Sequence, residues 1–200
     1  MRTTEHLKLV VNELNHRVKN TLAMVQAMAI RTFRQAPDLN LAHQQFAARL
    51  VALAQANDLL TGERWAGASL VSAIEQAVRP HQHDAERCSI RGEDLRISPK
   101  TALALAMAMH ELSTNAVKHG AWSDDQGIVA IDWSVTDEFL HLEWRERGGP
   151  EVAPPTQRGF GSRLIERGLA GELGGKVSLH FDPEGVRCLI DAPITIVVEE

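Results

Sequence analysis

The sequence predicts an α+β protein in two parts, a helical hairpin over residues 1–64 and a helix-and-sheet domain over residues 65–200. Three observations predict it. Apolar and small residues follow a heptad rhythm from Leu7 to Thr32 and again from Phe46 to Leu60; Thr61-Gly62-Glu63 and Gly67 break that rhythm; and two β-rich segment pairs with helices before and between them follow. At 200 residues, 44% of them apolar and 24% charged, the chain has enough apolar material for a proper core. The net charge of -5 comes with interspersed signs, which gives no support to a nucleic-acid surface. Cys88 and Cys188 are far apart with no C-x-x-C pattern, which fits free thiols in a reducing compartment, one bridge being the alternative. The longest apolar run, around Leu103 to Met109, is too short to span a bilayer, and the N-terminus has no signal-peptide pattern, so a cytoplasmic location is expected.

In the first helix Leu7, Val11, Leu14, Val18, Thr21, Val25, Met28 and Thr32 recur at alternating spacings of four and three and stop before Pro37. After a turn near Pro37-Asp38-Leu39-Asn40 the rhythm resumes with Phe46, Leu50, Leu53, Asn57 and Leu60. Two helices cannot bury both their faces, so the hairpin is expected to pair with a second copy as a four-helix bundle or to fold against the rest of the chain. His16 lies two residues from Leu14 and from Val18, which at roughly 100° per residue puts it opposite the seam, beside Asn12 and Asn20. It is expected to be exposed. Glu13, one turn earlier, is placed to accept one imidazole N–H and leave the other nitrogen free to attack. A plainly solvated histidine is the alternative.

In the second part, Leu70 to Val78 reads as a short amphipathic helix and Cys88 to Arg91 as a short strand. A long helix is expected from about Pro99, a good first-turn residue, to a Gly120 C-cap. Ile128 to Val135 and Phe139 to Trp144 alternate around a Thr136-Asp137-Glu138 turn, and read as a hairpin. A loop from Arg147 to Arg158 leads to a helix from about Ser162 to Leu173, stopped by Gly174-Gly175. Lys176 to Phe181 and Val186 to Ile190 make a second hairpin, and the whole reads as helices on an antiparallel sheet.

Chemistry concentrates on the long helix, in His110-Glu-Leu-Ser-Thr-Asn-Ala-Val-Lys-His119. There Glu111, Asn115 and Lys118 fall at i, i+4 and i+7 and share a face. A carboxylate, an amide oxygen and an amine on one wall suit polarising a nucleophile, holding Mg²⁺ and neutralising phosphate; a solvated helix face is the alternative. Two glycine-rich points follow, Glu146-Arg-Gly-Gly-Pro150 at a strand end and Arg158-Gly-Phe-Gly-Ser162 at a helix start. Glycines admit close backbone approach, and a helix N-terminus offers free N–H groups to phosphate, although both sequences also make plain turns. His81-Gln-His83 near Cys88 matches no common metal spacing and is read as structural.

The order of these segments resembles the cytoplasmic core of sensor histidine kinases, and its details resemble the HWE subfamily, over nearly the whole chain. The carriers are Glu13-Leu-Asn-His-Arg-Val-Lys-Asn-Thr-Leu22 as the phosphoacceptor box, the His110 to His119 segment as the N box, Trp144-Arg-Glu146 running into Gly148-Gly149-Pro150 as the first glycine box, and Arg158-Gly-Phe-Gly-Ser-Arg-Leu-Ile165 as the second. The resemblance implies a dimerisation and phosphotransfer hairpin followed by an ATP-binding α/β sandwich of the GHKL (Bergerat) type. It implies that His16 takes the γ-phosphate of ATP, with Glu111 as general base. It also implies that Asn115 ligates Mg²⁺, that Lys118 offsets phosphate charge, and that Glu146 stands where other histidine kinases place the aspartate that accepts from the adenine amino group. Gly148, Gly159 and Gly161 would admit the nucleotide, with Ser162 near the phosphates, and Trp144 would pack beneath the site. A response-regulator receiver domain, a homodimer partner and an input domain, upstream in a longer kinase or in another protein, complete the implied system.

One departure stands out, and one residue is left without an assigned role. Arg17 follows His16 where many histidine kinases carry an acidic residue, leaving Glu111 or Glu13 as the proton acceptor, and the role of His110 is open. A non-catalytic histidine phosphotransfer module and a serine/threonine kinase of the anti-sigma type are the competing readings; the first has no need of Glu111, Asn115 or the glycine boxes, and the second leaves the His16 hairpin unexplained.

Overall fold

In the computed structural model the chain forms two compact units, Met1–Leu50 and Val51–Glu200. The structure describes residues 68–154 except 83, residues 162 and 164–197, and eighteen scattered positions between 18 and 50. In the first unit the described positions from Val18 to Arg34 and from Leu39 to Leu50 are helical. Phe33 and Phe46 meet with ring centroids 5.9 Å apart. Of the expected seam, Thr32 is buried, Val25 half-buried and Val18 exposed. His16, Glu13, Pro37 and the expected boundary at residues 64 and 65 lie outside the described residues; of the expected turn, Asp38 is a bend and Leu39 and Asn40 are already helical.

The second unit is built on a five-stranded sheet. A two-residue strand β1 (Ala68–Ser69) leads into helix α1 (Leu70–Val78); β2 (Cys88–Arg91) and β3 (Arg96–Ile97) precede the long helix α2 (Pro99–His119). Then come β4 (Ile128–Thr136), β5 (Phe139–Arg147), a wide π-helical turn over Leu164–Leu169 continuing as α3 (Ala170–Leu173), β6 (Lys176–Asp182), β7 (Gly185–Pro193) and a terminal turn α4 (Ile194–Val197). The sheet order is β2-β4-β5-β7-β6, and β1 pairs only with β3. One expectation needs correction: β2 runs parallel to β4, so the sheet is mixed rather than antiparallel. A parallel partner needs a crossover, and α2 supplies it between these two strands.

Local chemistry fixes the element ends. Ser69 and Ser98 are N-caps, accepting from Ser72 N and Thr101 N at 3.0 and 3.1 Å. The β4–β5 turn places Asp137 and Glu138 at φ 50° and 64°, the two left-handed residues that a tight hairpin with native twist requires. Strand parity then sorts the side chains: Val129, Ile131 and Trp133 of β4, Leu140, Leu142, Trp144 and Glu146 of β5, and Cys188, Ile190 and Ala192 of β7 are buried on one face. Against them α2 lays Leu105, Met109, Leu112 and Ala116, spaced four, three and four, and α1 adds Leu70, Ala73, Ile74 and Val78. Both cysteines are free thiols; burial lifts Cys88 to about 11 and Cys188 to about 12, so neither is a nucleophile at neutral pH.

Candidate active site

The helical register of α2 sets out the first wall. Its apolar seam faces the sheet, and Glu111, Asn115 and Lys118 follow one another along a different line. Burial grades along that line: Glu111 is 7% exposed, while Asn115 and Lys118 lie open to solvent. Among the described residues the side chains of Asn115 and Lys118 have no hydrogen-bond or ion-pair partner. His110, one residue before Glu111, points elsewhere. Its Nδ1 lies 3.0 Å from Nε2 of His81 with the rings edge to face, so the two form an N–H···N pair in which one ring donates and the other accepts. The pairing of His81 was not legible from its neighbour His83 in the sequence, because its partner lies 29 residues away on another element.

The second wall is the end of β5. By the parity that buries Leu140, Leu142 and Trp144, Glu146 is the next residue turned into the core, and it is 2% exposed. Its oxygens are both engaged: Oε2 accepts from Ala121 N at 2.8 Å, and Oε1 accepts from the Trp144 indole Nε1 at 3.1 Å. Burial pushes this carboxyl above its ordinary range, and the two donated hydrogen bonds pull only partly back. Trp144 is fully buried, with Trp122 edge-on at 5.9 Å, and its indole N–H serves Glu146.

The glycines around this carboxylate have definite reasons. Gly120 caps α2 at φ -115°, not in the left-handed region that an ordinary glycine cap adopts; a Cβ there would sit 2.1 Å from Glu146 Oε2. Gly120 is therefore glycine because the carboxylate lies against it. Gly148 has φ +70° and lies under the Gln126 carbonyl, where a side chain would be both strained and crowded. Of the second glycine box, Ser162 is helical and half-buried, and Gly159 and Gly161 lie outside the described residues.

The opposite face of the sheet carries a different chemistry. A half-open cavity of about 350 Å³ there is lined by Glu143, Arg145, Arg147, Asp182, Glu184 and Arg187, and Glu146 and Gly185 also border it. Arg145 reaches Glu143 at 3.2 Å and Asp132 at 3.5 Å, and Arg187 reaches Glu143 at 3.0 Å and Asp182 at 3.7 Å. With two of its three arginines already paired to carboxylates, the cavity has little cationic capacity left for a phosphate, whereas Lys118 on α2 has no ion-pair partner among the described residues. Among the described residues no three His, Cys, Asp or Glu side chains converge on a metal position, so a magnesium ion would depend on the Asn115 amide oxygen together with oxygens of a bound nucleotide and water, which is chemistry Mg²⁺ accepts.

Comparison with known proteins bears on the same segments. A family model described as HWE histidine kinase matches residues 13–94. The blue-light-activated histidine kinase of Brucella anthropi is 40% identical over 192 residues, covering 94% of this chain and 39% of that protein, and that of Brucella ovis is 41% identical over the same span. The chain thus spans about two fifths of the length of these relatives. Among solved structures, the histidine kinase domain of the Erythrobacter litoralis EL346 blue-light activated histidine kinase superposes with a TM-score of 0.65 at 18% identity, covering 86% of this chain and 83% of that one. The longer EL346 chain gives 0.65 at 22%, covering 92% and 58%. At those identities the likeness shows the fold alone, a mixed helix-and-sheet domain. Among the described residues no helix is long and apolar enough to cross a membrane. The family model takes in the His16 segment, and identity near 40% continues along almost the whole chain: it belongs to the HWE histidine kinase family.

Proposed function

We propose that the chain is the catalytic core of a protein-histidine kinase that autophosphorylates His16 with Mg·ATP and passes the phosphoryl group to an aspartate of a response-regulator receiver domain. Residues 1–64 would form the helical-hairpin dimerisation and phosphotransfer domain of a homodimer, and residues 65–200 the ATP-binding domain, with an input domain elsewhere in a longer kinase or in another protein. The observation that carries the reading is the face of α2, where the nearly buried Glu111 is followed at helical spacing by the exposed and uncommitted Asn115 and Lys118.

In this reading an unprotonated ring nitrogen of His16 attacks the γ-phosphorus of ATP. The bond from that phosphorus to the β–γ bridging oxygen breaks, ADP leaves with the electron pair, and the remaining imidazole N–H loses its proton to Glu111. Asn115 would hold Mg²⁺, which supplies charge neutralisation between phosphate oxygens, and Lys118 would add a positive charge beside them. Gly148, Gly159 and Gly161 would let backbone lie close to the nucleotide, with Ser162 at a helix start near the phosphates. Glu146 would border the adenine. Its two oxygens already accept from protein donors, so any contact to the adenine amino group uses a remaining lone pair.

Calorimetric titration with ATP, with and without Mg²⁺, tests the site independently of phosphotransfer. The expected result is magnesium-dependent binding by the wild type that Asn115→Ala abolishes at unchanged thermal stability. Binding that is indifferent to both Mg²⁺ and Asn115 would put the nucleotide elsewhere, and no binding by the wild type would favour a phosphotransfer module without ATP chemistry.

A further inference from the structure

Between α2 and β4 the chain runs through a turn, Ala121–Ser123, and on to Gly127, and this loop is held from two sides. On the inner side Glu146 accepts the Ala121 N–H. On the outer side stands Arg87, which ends the short turn Ala85–Arg87 ahead of β2. Its Nε donates to the Gly127 carbonyl at 2.8 Å, and its Nη2 donates to the Ala121 carbonyl at 3.3 Å and to the Asp124 carbonyl. In return the Trp122 indole donates to the Arg87 carbonyl at 3.3 Å. Trp122 is also the ring that meets Trp144, whose own indole holds Glu146. The connections close a circuit from Arg87 through the loop to Trp144 and Glu146.

The two ends of this clamp suit the loop's backbone. A carboxylate accepts an N–H and a guanidinium donates to three carbonyls, each the charge-assisted form of the bond. Only a planar fork with several donors reaches carbonyls at both ends of one loop; a lysine ammonium is a single point. The loop is in turn what the first glycine box rests on. A Cβ on Gly149 would lie 2.6 Å from Ala121 Cα, and one on Gly148 would lie 3.0 Å from the Gln126 carbonyl oxygen, so the loop and the box cannot shift independently.

We infer that Arg87 is a positioning residue for the nucleotide site: it fixes the loop over residues 121–127, and through it the placement of Gly148 and Gly149. The inference rests on the reading that Gly148 borders ATP.

The test uses the whole chain with Arg87→Ala, Arg87→Lys and, as a control on an exposed residue of β2, Arg91→Ala. Backbone amide exchange is measured without nucleotide, and ATP affinity by calorimetry with Mg²⁺. In Arg87→Ala the amides of residues 121–127 should exchange about tenfold faster or more, those of Leu140 to Trp144 should hold, and the ATP dissociation constant should rise about tenfold, with Arg87→Lys between it and the wild type and Arg91→Ala unchanged. Unchanged exchange in the loop would overturn the clamp. A fall in protection spread evenly over β4, β5 and β7 would make Arg87 a general stabiliser and overturn it too. A loosened loop with unchanged ATP affinity would overturn the coupling to the site. No ATP binding by the wild type would instead take down the nucleotide reading, while the exchange data report the clamp separately.

Discussion

The two ends of the candidate site spend their polar groups differently. At the β5 end Glu146 is withdrawn from solvent, and both of its oxygens are engaged by the backbone of Ala121 and the indole of Trp144. At the α2 end Asn115 and Lys118 stand in solvent with no side-chain partner among the described residues. A group already satisfied by the fold contributes chiefly to where things are; a group left open can contribute its full capacity to a ligand. The difference predicts that substitutions at the first end act on stability and positioning, and substitutions at the second on ligand chemistry with the fold intact.

The largest effect should come from Glu146→Ala, which strands two buried donors and is expected to cost about 3 kcal/mol or more in denaturant unfolding. Glu146→Gln sharpens the point. However its amide is turned, an NH₂ faces another N–H, so it should cost about 1–3 kcal/mol despite its nearly identical shape. A Gln variant as stable as the wild type would break the comparison at this end. Asn115→Ala is the counterpart: binding of Mg·ATP should fall at least about a hundredfold, beyond what losing an outer partner of a metal usually does, while stability shifts by no more than about 0.5 kcal/mol.

A smaller effect is the pH dependence carried by Glu146. Its folded-state pKa is raised above the unfolded value of about 4.3. The folded protein therefore binds more protons in that window, and this contribution to stability is greatest in acid, declines as pH climbs from about 4.3 through the raised value, and is flat above it. Glu146→Gln should remove that slope, read as the difference between the two proteins' stability profiles over the acid range. The smallest expected effect is at Ser113, whose buried hydroxyl on α2 has no hydrogen-bond partner among the described residues. Ser113→Ala should be neutral or stabilising, within about 0.5 kcal/mol, which denaturant titration resolves.

The parts of this architecture that follow from local spacing were legible in the sequence. Period two along Phe139 to Arg147 puts Leu140, Leu142, Trp144 and Glu146 on one face, and period 3.6 along Pro99 to His119 separates the Leu105–Met109–Leu112–Ala116 seam from the Glu111–Asn115–Lys118 line. What was not legible depends on pairings between distant residues. The parallel register of Cys88 to Arg91 on β4, the His81–His110 pair and the reach of Arg87 across 34 to 40 residues leave no periodic trace. Gly120 is an instructive intermediate. Its position past the last helical residue reads correctly as a cap, yet its requirement comes from a carboxylate 26 residues away rather than from a left-handed backbone. The π-helical turn at Leu164–Leu169 departs from the regular helix expected from about Ser162 to Leu173.

Phosphoryl transfer to His16 is the step on which the proposed function stands. The most direct measurement is incorporation of label from γ-labelled Mg·ATP into the wild type, His16→Ala and Asn115→Ala side by side, followed by acid and alkali treatment of the product. Acid-labile, alkali-stable label in the wild type that both variants lose is the predicted result. Label persisting in His16→Ala would place the acceptor on another residue and rule out His16 as the phosphoacceptor.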